Sequence, residues 1–291
     1  MIKFSDTEIN SYPFPHAATN NAIRQELFMR LIEEFPDYEE VKQYENVMGG
    51  RRRLSSNTAQ FYEFLSRNPS WKSLYEYINS ESFVNEFLNT YKEQLKDSGC
   101  ILENYTFDIN YSYRKAYTLS DQVKSKFRNK SWYSSLLRIL FKLGIVRFLK
   151  NFFYIIPLRI IQRYKGTKLH IHMDISSSTD GYSNEPHHDS ESRVAVFLIF
   201  FSSQKEIGGN GGEFCIHNIK TGSDGSYPMF PSIDDLELYL KVPPTKNLMF
   251  SFLSTPNSYH SVPVIKNSKG SRNFIYVAIT ANKTNLWSRK A

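Results

Sequence analysis

Cysteine is nearly absent: the 291 residues contain two, Cys100 and Cys215, far apart and outside any CxxC spacing. That excludes a disulfide framework and a zinc knuckle, and it fits a reducing compartment. Long apolar runs are also missing, since none reaches the roughly 20 residues that span a bilayer. The opening MIKFSDTEINSY lacks a basic stretch followed by an apolar one, so the default expectation is a cytoplasmic protein. Acidic residues are missing over one long stretch. From Gln122 to Met173 there is no Asp or Glu, while twelve Lys and Arg stand between Lys124 and Lys168. Of 36 basic and 29 acidic residues in all, this leaves 24 bases facing 29 acids elsewhere. The net charge of +7 therefore belongs to one segment, and affinity for anionic partners is expected there.

What is present suffices for a sizeable core, with 41% hydrophobic and 15% aromatic residues. Residues 1–120 read as a helical region. Asn20 or Asn21 can cap a helix whose apolar stripe is Ile23, Leu27, Phe28, Leu31, Ile32 and Phe35, ended by Pro36. After Pro69, Trp71, Leu74, Tyr75 and Ile78, then Phe83, Phe87 and Leu88, continue at helical spacing. Arg51-Arg52-Arg53, after Gly49-Gly50, reads as a solvated loop, with an anion clamp as the alternative.

Residues 121–167 read as a basic, apolar helical insertion broken at Pro157. Two readings stand: an interfacial helix whose cations snorkel towards an anionic membrane, contacting it peripherally through residues 124–168, or a helical hairpin packed on the rest of the chain. From residue 168 to 291 the texture is that of strands. LHIHMDI alternates, with Leu169, Ile171, Met173 and Ile175 on one side and His170, His172 and Asp174 on the other. VAVFLIFF is apolar on both sides, as a central strand should be. Further short strands lie around Phe214, Phe250 and Tyr276, separated by Gly, Pro, Asn and Ser. The expected fold is α+β: a double-sheet jelly roll with packing helices.

The stretch EPHHDS precedes that central strand. On an extended backbone residues i and i+2 project to one side, so His187 and Asp189 can converge on one metal ion while His188 points away. His260, beyond a Pro256-Asn257 turn, is the best third donor. Two imidazoles and a carboxylate on one face leave the opposite positions open, the facial arrangement of non-haem Fe(II) oxygenases. Arg272 lies twelve residues further on, on a strand shared with Phe274 and Tyr276. A guanidinium there can grip the far carboxylate of a keto diacid by paired hydrogen bonds.

His187-x-Asp189, His260 and Arg272, with Gly211-Gly212-Glu213-Phe214 and the strand Leu248 to Phe252, resemble the Fe(II)/2-oxoglutarate-dependent dioxygenase superfamily, in its prolyl 4-hydroxylase-like branch. The likeness covers residues 168–280 well and the first 95 loosely, with Tyr12-Pro13-Phe14-Pro15-His16 and Glu34-Phe35-Pro36 similar to the opening of many members. It does not cover the insertion. The resemblance implies one oxygenase domain over residues 1–291, iron held by His187, Asp189 and His260, and 2-oxoglutarate held by Arg272, with Tyr182 and Tyr276 in its pocket. It implies a hydroxylation that consumes O2 and 2-oxoglutarate and releases succinate and CO2. Family halogenases usually lack the carboxylate that Asp189 supplies, so hydroxylation is favoured. Asn273-Phe274 lacks the Ser two residues after the Arg that some branches carry.

His170, His172 and Asp174 form a rival constellation, but neighbouring same-face side chains stand about 7 Å apart and would splay around one ion. They are expected to line the pocket or form the sheet's wet side. His217 is expected at a strand surface. The substrate expected first is an anionic or glycolipid-type molecule near a membrane, then a peptidyl residue; a small molecule stays open and nucleic acid is disfavoured, because no reading module is recognisable. The non-enzymatic alternative is a β-sandwich binding protein docking on an anionic surface through its basic helices.

Overall fold

The computed structural model describes residues 1–4, 8–42, 45–47, 50–102, 104–117, 166–220, 228–283 and 286–287. The basic insertion, and with it the membrane-contact expectation, lies outside these residues except for its last few positions. Among the described residues the strands are β1 His16–Thr19, β2 Glu45–Val47, β3 Arg51–Ser55, β4 Thr106–Phe107, β5 Lys168–Ser178, β6 Asn184–His187, β7 Arg193–Phe200, β8 Phe214–Ile219, β9 Leu236–Val242, β10 Met249–Leu253, β11 His260–Val262 and β12 Arg272–Ala281. The helices are α1 Gln25–Glu33, α2 Tyr38–Lys42, α3 Ala59–Arg67, α4 Pro69–Ile78, α5 Glu81–Thr90, α6 Lys92–Asp97, α7 Tyr111–Tyr117 and the single turn α8 Gln204–Ile207. The class is α+β.

Strands form two sheets. The larger runs β1-β10-β7-β12-β5-β3-β2, with β4 parallel beside β5, and the smaller runs β6-β11-β8-β9. From β5 onward the chain visits them as large, small, large, small, small, large, small, large. The sheets pack on each other through Val196, Leu198, Phe214, Ile216, Phe250, Phe252 and Phe274. Helices cover the outer face of the larger sheet.

Strand alternation explains both layers. On β7, Ala195, Phe197 and Ile199 join the core under the helices, while Val196, Leu198 and Phe200 face the smaller sheet. The helical stripes read from the sequence supply the other half of the outer core: Leu27, Phe28 and Leu31 from α1, Trp71, Leu74 and Ile78 from α4, Phe83 and Phe87 from α5. Phe197 packs between Phe83 and Phe87, with ring centroids 5.7 and 5.9 Å away. Each such aromatic contributes about 1.5–3 kcal/mol by leaving water. Local signals set the helix starts. Pro69 takes the first position of α4, where its missing N–H costs nothing, and Ser80 Oγ accepts the Phe83 N–H at 3.2 Å to cap α5. The first helix begins at Gln25, after Arg24, rather than at an asparagine cap.

Two expectations need correction. Arg51-Arg52-Arg53 is not a solvated loop but strand β3, paired with β5 from Arg52↔Ser177 to Ser55↔Asp174. The N-terminal region is also not purely helical, since β1, β2, β3 and β4 all extend the larger sheet. Among the described residues no helix is long and apolar enough to cross a membrane. Phe197→Ala is expected to cost about 3–5 kcal/mol in urea unfolding, whereas Leu238→Ala, on the exposed stretch of β9, should stay within about 0.5 kcal/mol.

Candidate metal centre

β6 and β11 are antiparallel neighbours, and His260 sits directly opposite His187. Their rings lie 4.4 Å apart. One ligand atom each from His187, Asp189 and His260 falls within 4.8 Å of the others, a spacing that suits a single metal ion. Each imidazole gives its Nδ1–H to a carbonyl two residues earlier, His187 to Glu185 at 2.8 Å and His260 to Ser258 at 2.9 Å. Those bonds fix the tautomer that leaves Nε2 with its lone pair, the usual arrangement of metal-ligating histidine. Burial, aided by His187, lowers the His260 pKa to about 3, so the ring is neutral as a ligand must be. Burial acts to raise the Asp189 carboxyl, but Arg193, His260 and His187 outweigh it and hold the group below the usual carboxylate range. Arg193 Nη1 bonds Asp189 Oδ1, and Ser254 Oγ reaches Oδ2 at 3.5 Å.

The triad opens on a cavity of about 340 Å³ between the sheets. Arg272, at the start of β12, enters it from the larger sheet and is almost completely buried. Its Nε donates to the Gly212 carbonyl at 2.6 Å, and its guanidinium lies 4.3 Å from the Phe274 ring centroid and 6.0 Å from that of Tyr182. Nη1 is buried without a partner. Burial lowers the Arg272 pKa to about 10, which leaves it charged at neutral pH. The Gly211-Gly212 turn before β8 requires glycine. Gly211 has φ +85°, and a Cβ there would stand 2.0 Å from the Val264 carbonyl oxygen. Tyr182 and Tyr276 line the cavity, and the Tyr276 hydroxyl is buried without a partner as well.

His172 and Asp174 also line the cavity. His172 is committed to other bonds: Nδ1 accepts from Asn57 Nδ2 at 2.8 Å, and Nε2 lies 3.1 Å from Asp174 Oδ1. His170 does not line the cavity. It sits further along β5, stacked on Tyr111 of α7 with ring centroids 3.6 Å apart, and burial lowers its pKa to about 4. The strand carries successive same-face residues too far along its axis for all three to meet one site. His188 stays outside the triad, as the i, i+2 rule requires, but it is buried, with Nδ1–H donated to the Asp189 carbonyl at 2.7 Å. His217 is buried too, not at the strand surface, with Nε2 2.7 Å from Ser261 Oγ.

Among the charged lining residues Arg193 has no counterpart in the sequence reading, and Arg51 and Arg53 line the cavity although the expectation there is a solvated loop first and an anion clamp only as the alternative. Arg51 Nη2 and Arg53 Nη1 both lie 3.2 Å from Asp174 Oδ2. The two-residue spacing of Arg51 and Arg53 was the available signal, because it puts both on one face of a strand.

No protein-family model and no curated protein matches the chain. Among solved structures it is similar to a prolyl 4-hydroxylase from Phytophthora capsici, with 11% identity, 93% of this chain and 60% of that chain covered, and a TM-score of 0.46. It is also similar to a Pseudomonas putida prolyl-4-hydroxylase, with 8% identity, 91% of each chain and a TM-score of 0.43. A third is a prolyl hydroxylase from Trichoplax adhaerens in complex with a hypoxia inducible factor oxygen degradation domain peptide fragment, with 9% identity, 91% and 83% coverage and a TM-score of 0.40. This chain thus spans 60% of the length of the Phytophthora protein. Overlaps this loose leave function to the side chains of the site.

Burial would raise the Asp174 carboxyl, yet His172, Arg51 and Arg53 together hold it well below the usual range. A carboxyl depressed by folding stabilises the fold in full above the ordinary Asp range, and that stabilisation drains away as pH falls from that range down through the folded-state value. Asp174→Asn should therefore lower the melting temperature at pH 7 and flatten its fall between pH 5 and pH 3, read by thermal scans across that window.

Proposed function

We propose that this chain is an Fe(II)/2-oxoglutarate-dependent dioxygenase that hydroxylates an unactivated C–H bond. One observation carries the reading: a His-Asp-His donor set and a buried guanidinium with an unpartnered Nη1 line the same cavity. Two imidazoles and one carboxylate suit Fe(II) and leave coordination positions open. An unpartnered buried donor costs about 1–3 kcal/mol, a cost that a carboxylate oxygen would remove by a charge-assisted bond. The residues present therefore fit both groups. Bound there, Fe(II) with 2-oxoglutarate and O2 would supply the oxidising power for hydroxylation, releasing succinate and CO2.

In this reading His187, Asp189 and His260 hold the metal, and Arg193 keeps the Asp189 carboxylate aimed at it. Arg272 takes the distal carboxylate of the keto diacid, the unpartnered Tyr276 hydroxyl is a further donor in the same cavity, and the Tyr182 ring flanks the guanidinium. Val196, Leu198, Phe214 and Phe252 keep part of the cavity wall apolar, which excludes water from the reacting centre. We read β5 to β12 as the eight strands of a double-stranded β-helix inside one domain over residues 1–291. The order in which the chain visits the two sheets supports this. The substrate is a small molecule, a glycan or a peptidyl residue. A non-catalytic docking protein would have no use for this donor set.

Anaerobic addition of Fe(II) and 2-oxoglutarate should produce a visible charge-transfer band that needs both, since only a shared site brings metal and keto acid together. His187→Ala and Asp189→Ala should lose that band and bring succinate release to background. His188→Ala should keep both within about tenfold, the effect of a residue that supports a ligand rather than being one. Equal loss in all three would overturn the assignment.

A further inference from the structure

The charged residues lining the cavity are Arg51, Arg53, Arg193, Arg272, Asp174 and Asp189: four guanidiniums against two carboxylates. On the proposed function, on which this inference rests, the two charges of Fe(II) and the two of 2-oxoglutarate cancel and leave the surplus unchanged. Even with Arg53 left out of the count, one guanidinium remains unmatched among the described residues. An uncompensated charge in a half-enclosed, partly apolar cavity is expensive, because the low dielectric and the loss of hydration both act against it.

Arg51 is the guanidinium best set to take a further anion. Nε and Nη2 donate to Ser176 Oγ at 3.1 and 2.8 Å, and Nη2 also approaches Asp174. Nη1 donates to nothing among the described residues. The group is not loose, since it lies over the Phe274 and Tyr276 rings with its carbon 5.1 and 5.6 Å from their centroids. Its side chain is only 15% exposed. This is a preorganised donor at the cavity wall, held by Ser176, by two rings and by the Asp174 carboxylate it shares with Arg53, with one edge unused. The cavity's 340 Å³ stands at the lower end of ligand-pocket sizes, and the cosubstrate takes part of it.

We infer that the substrate is a small acid whose carboxylate or phosphate docks on Arg51, which makes this residue a determinant of specificity. The probes are matched pairs, butyrate with butyramide and glycerol 3-phosphate with glycerol, titrated calorimetrically into the anaerobic chain loaded with Fe(II) and saturating 2-oxoglutarate. At least one acid should bind about tenfold or more tighter than its neutral partner, the worth of one charge-assisted bond. The pair that responds distinguishes carboxylate from phosphate. Arg51→Gln should abolish the preference, Arg51→Lys should keep part of it, and 2-oxoglutarate affinity should change less than about threefold in both. No preference in the unmodified chain, or the same preference in Arg51→Gln, overturns the inference. Should the metal and keto acid fail to bind together, the oxygenase reading fails. The same pairs on the metal-free chain then decide the Arg51 site alone, supported by a preference lost in Arg51→Gln and overturned by its absence or persistence.

Discussion

The pairing of His260 with His187 across β11 and β6 is the constraint on which the site rests. Both strands are short, four and three residues, yet the side-chain period of two makes register unforgiving. A slip of one residue would turn His260 out of the cavity and bring Ser261 in. Register is secured from the other side, where β11 also pairs with β8 and sets His260 opposite Ile216. Phe214 then stacks on the His260 ring with centroids 5.2 Å apart, and Phe252 packs against it at 5.0 Å. The packing that joins the two sheets therefore also orients a ligand.

Around this centre the chain buries Asp174, Asp189 and Arg272 and half-buries Arg51, Arg53 and Arg193, and it does so by sharing partners. Asp174 serves Arg51, Arg53 and His172. Arg193 serves the Asp189 carboxylate and lies 5.5 Å from the Tyr276 ring centroid. Arg272 leans on a backbone carbonyl and on three aromatic faces. Arg272 is thus held in direction by groups that carry no charge, and Arg51 and Arg53 share a single carboxylate between them. Charge without full compensation, held rigidly, is what recognition of an anion requires.

Much of the site was legible because its signals are local. His187 and Asp189 are two residues apart at the mouth of an apolar run, and strand periodicity alone sends them to one side. Arg272, Phe274 and Tyr276 share a face for the same reason, as do His172 and Asp174. Part of what escaped depends on partners distant in sequence. Arg51 and Arg53 read as loop because five consecutive polar or glycine positions precede Leu54, and it is pairing with β2 and with β5, more than a hundred residues on, that makes them a strand. Arg193, the residue before the apolar run, carries no local sign of the turn after Asp189 that brings it back onto that carboxylate. His170 and His217 were misjudged because periodicity gives the face of a strand but not what covers its ends. The helices were readable where an apolar stripe met a proline, Pro36 or Pro69, and β1 to β4 were not, being short pieces whose strand character comes from docking on a sheet edge.

The larger sheet has a core on each side, and the alternation of β5, β7 and β12 assigns their residues cleanly. Ile171, Met173, Phe197, Ile199, Ile275 and Val277 point to the helices, while His172, Asp174, Val196, Leu198, Phe274 and Tyr276 point to the cavity. By numerical coincidence the first group is odd-numbered and the second even-numbered in all three strands. Durability and selectivity are thus written on interleaved positions of the same segments. A lineage can revise one text without erasing the other, provided that no residue is inserted or deleted between them.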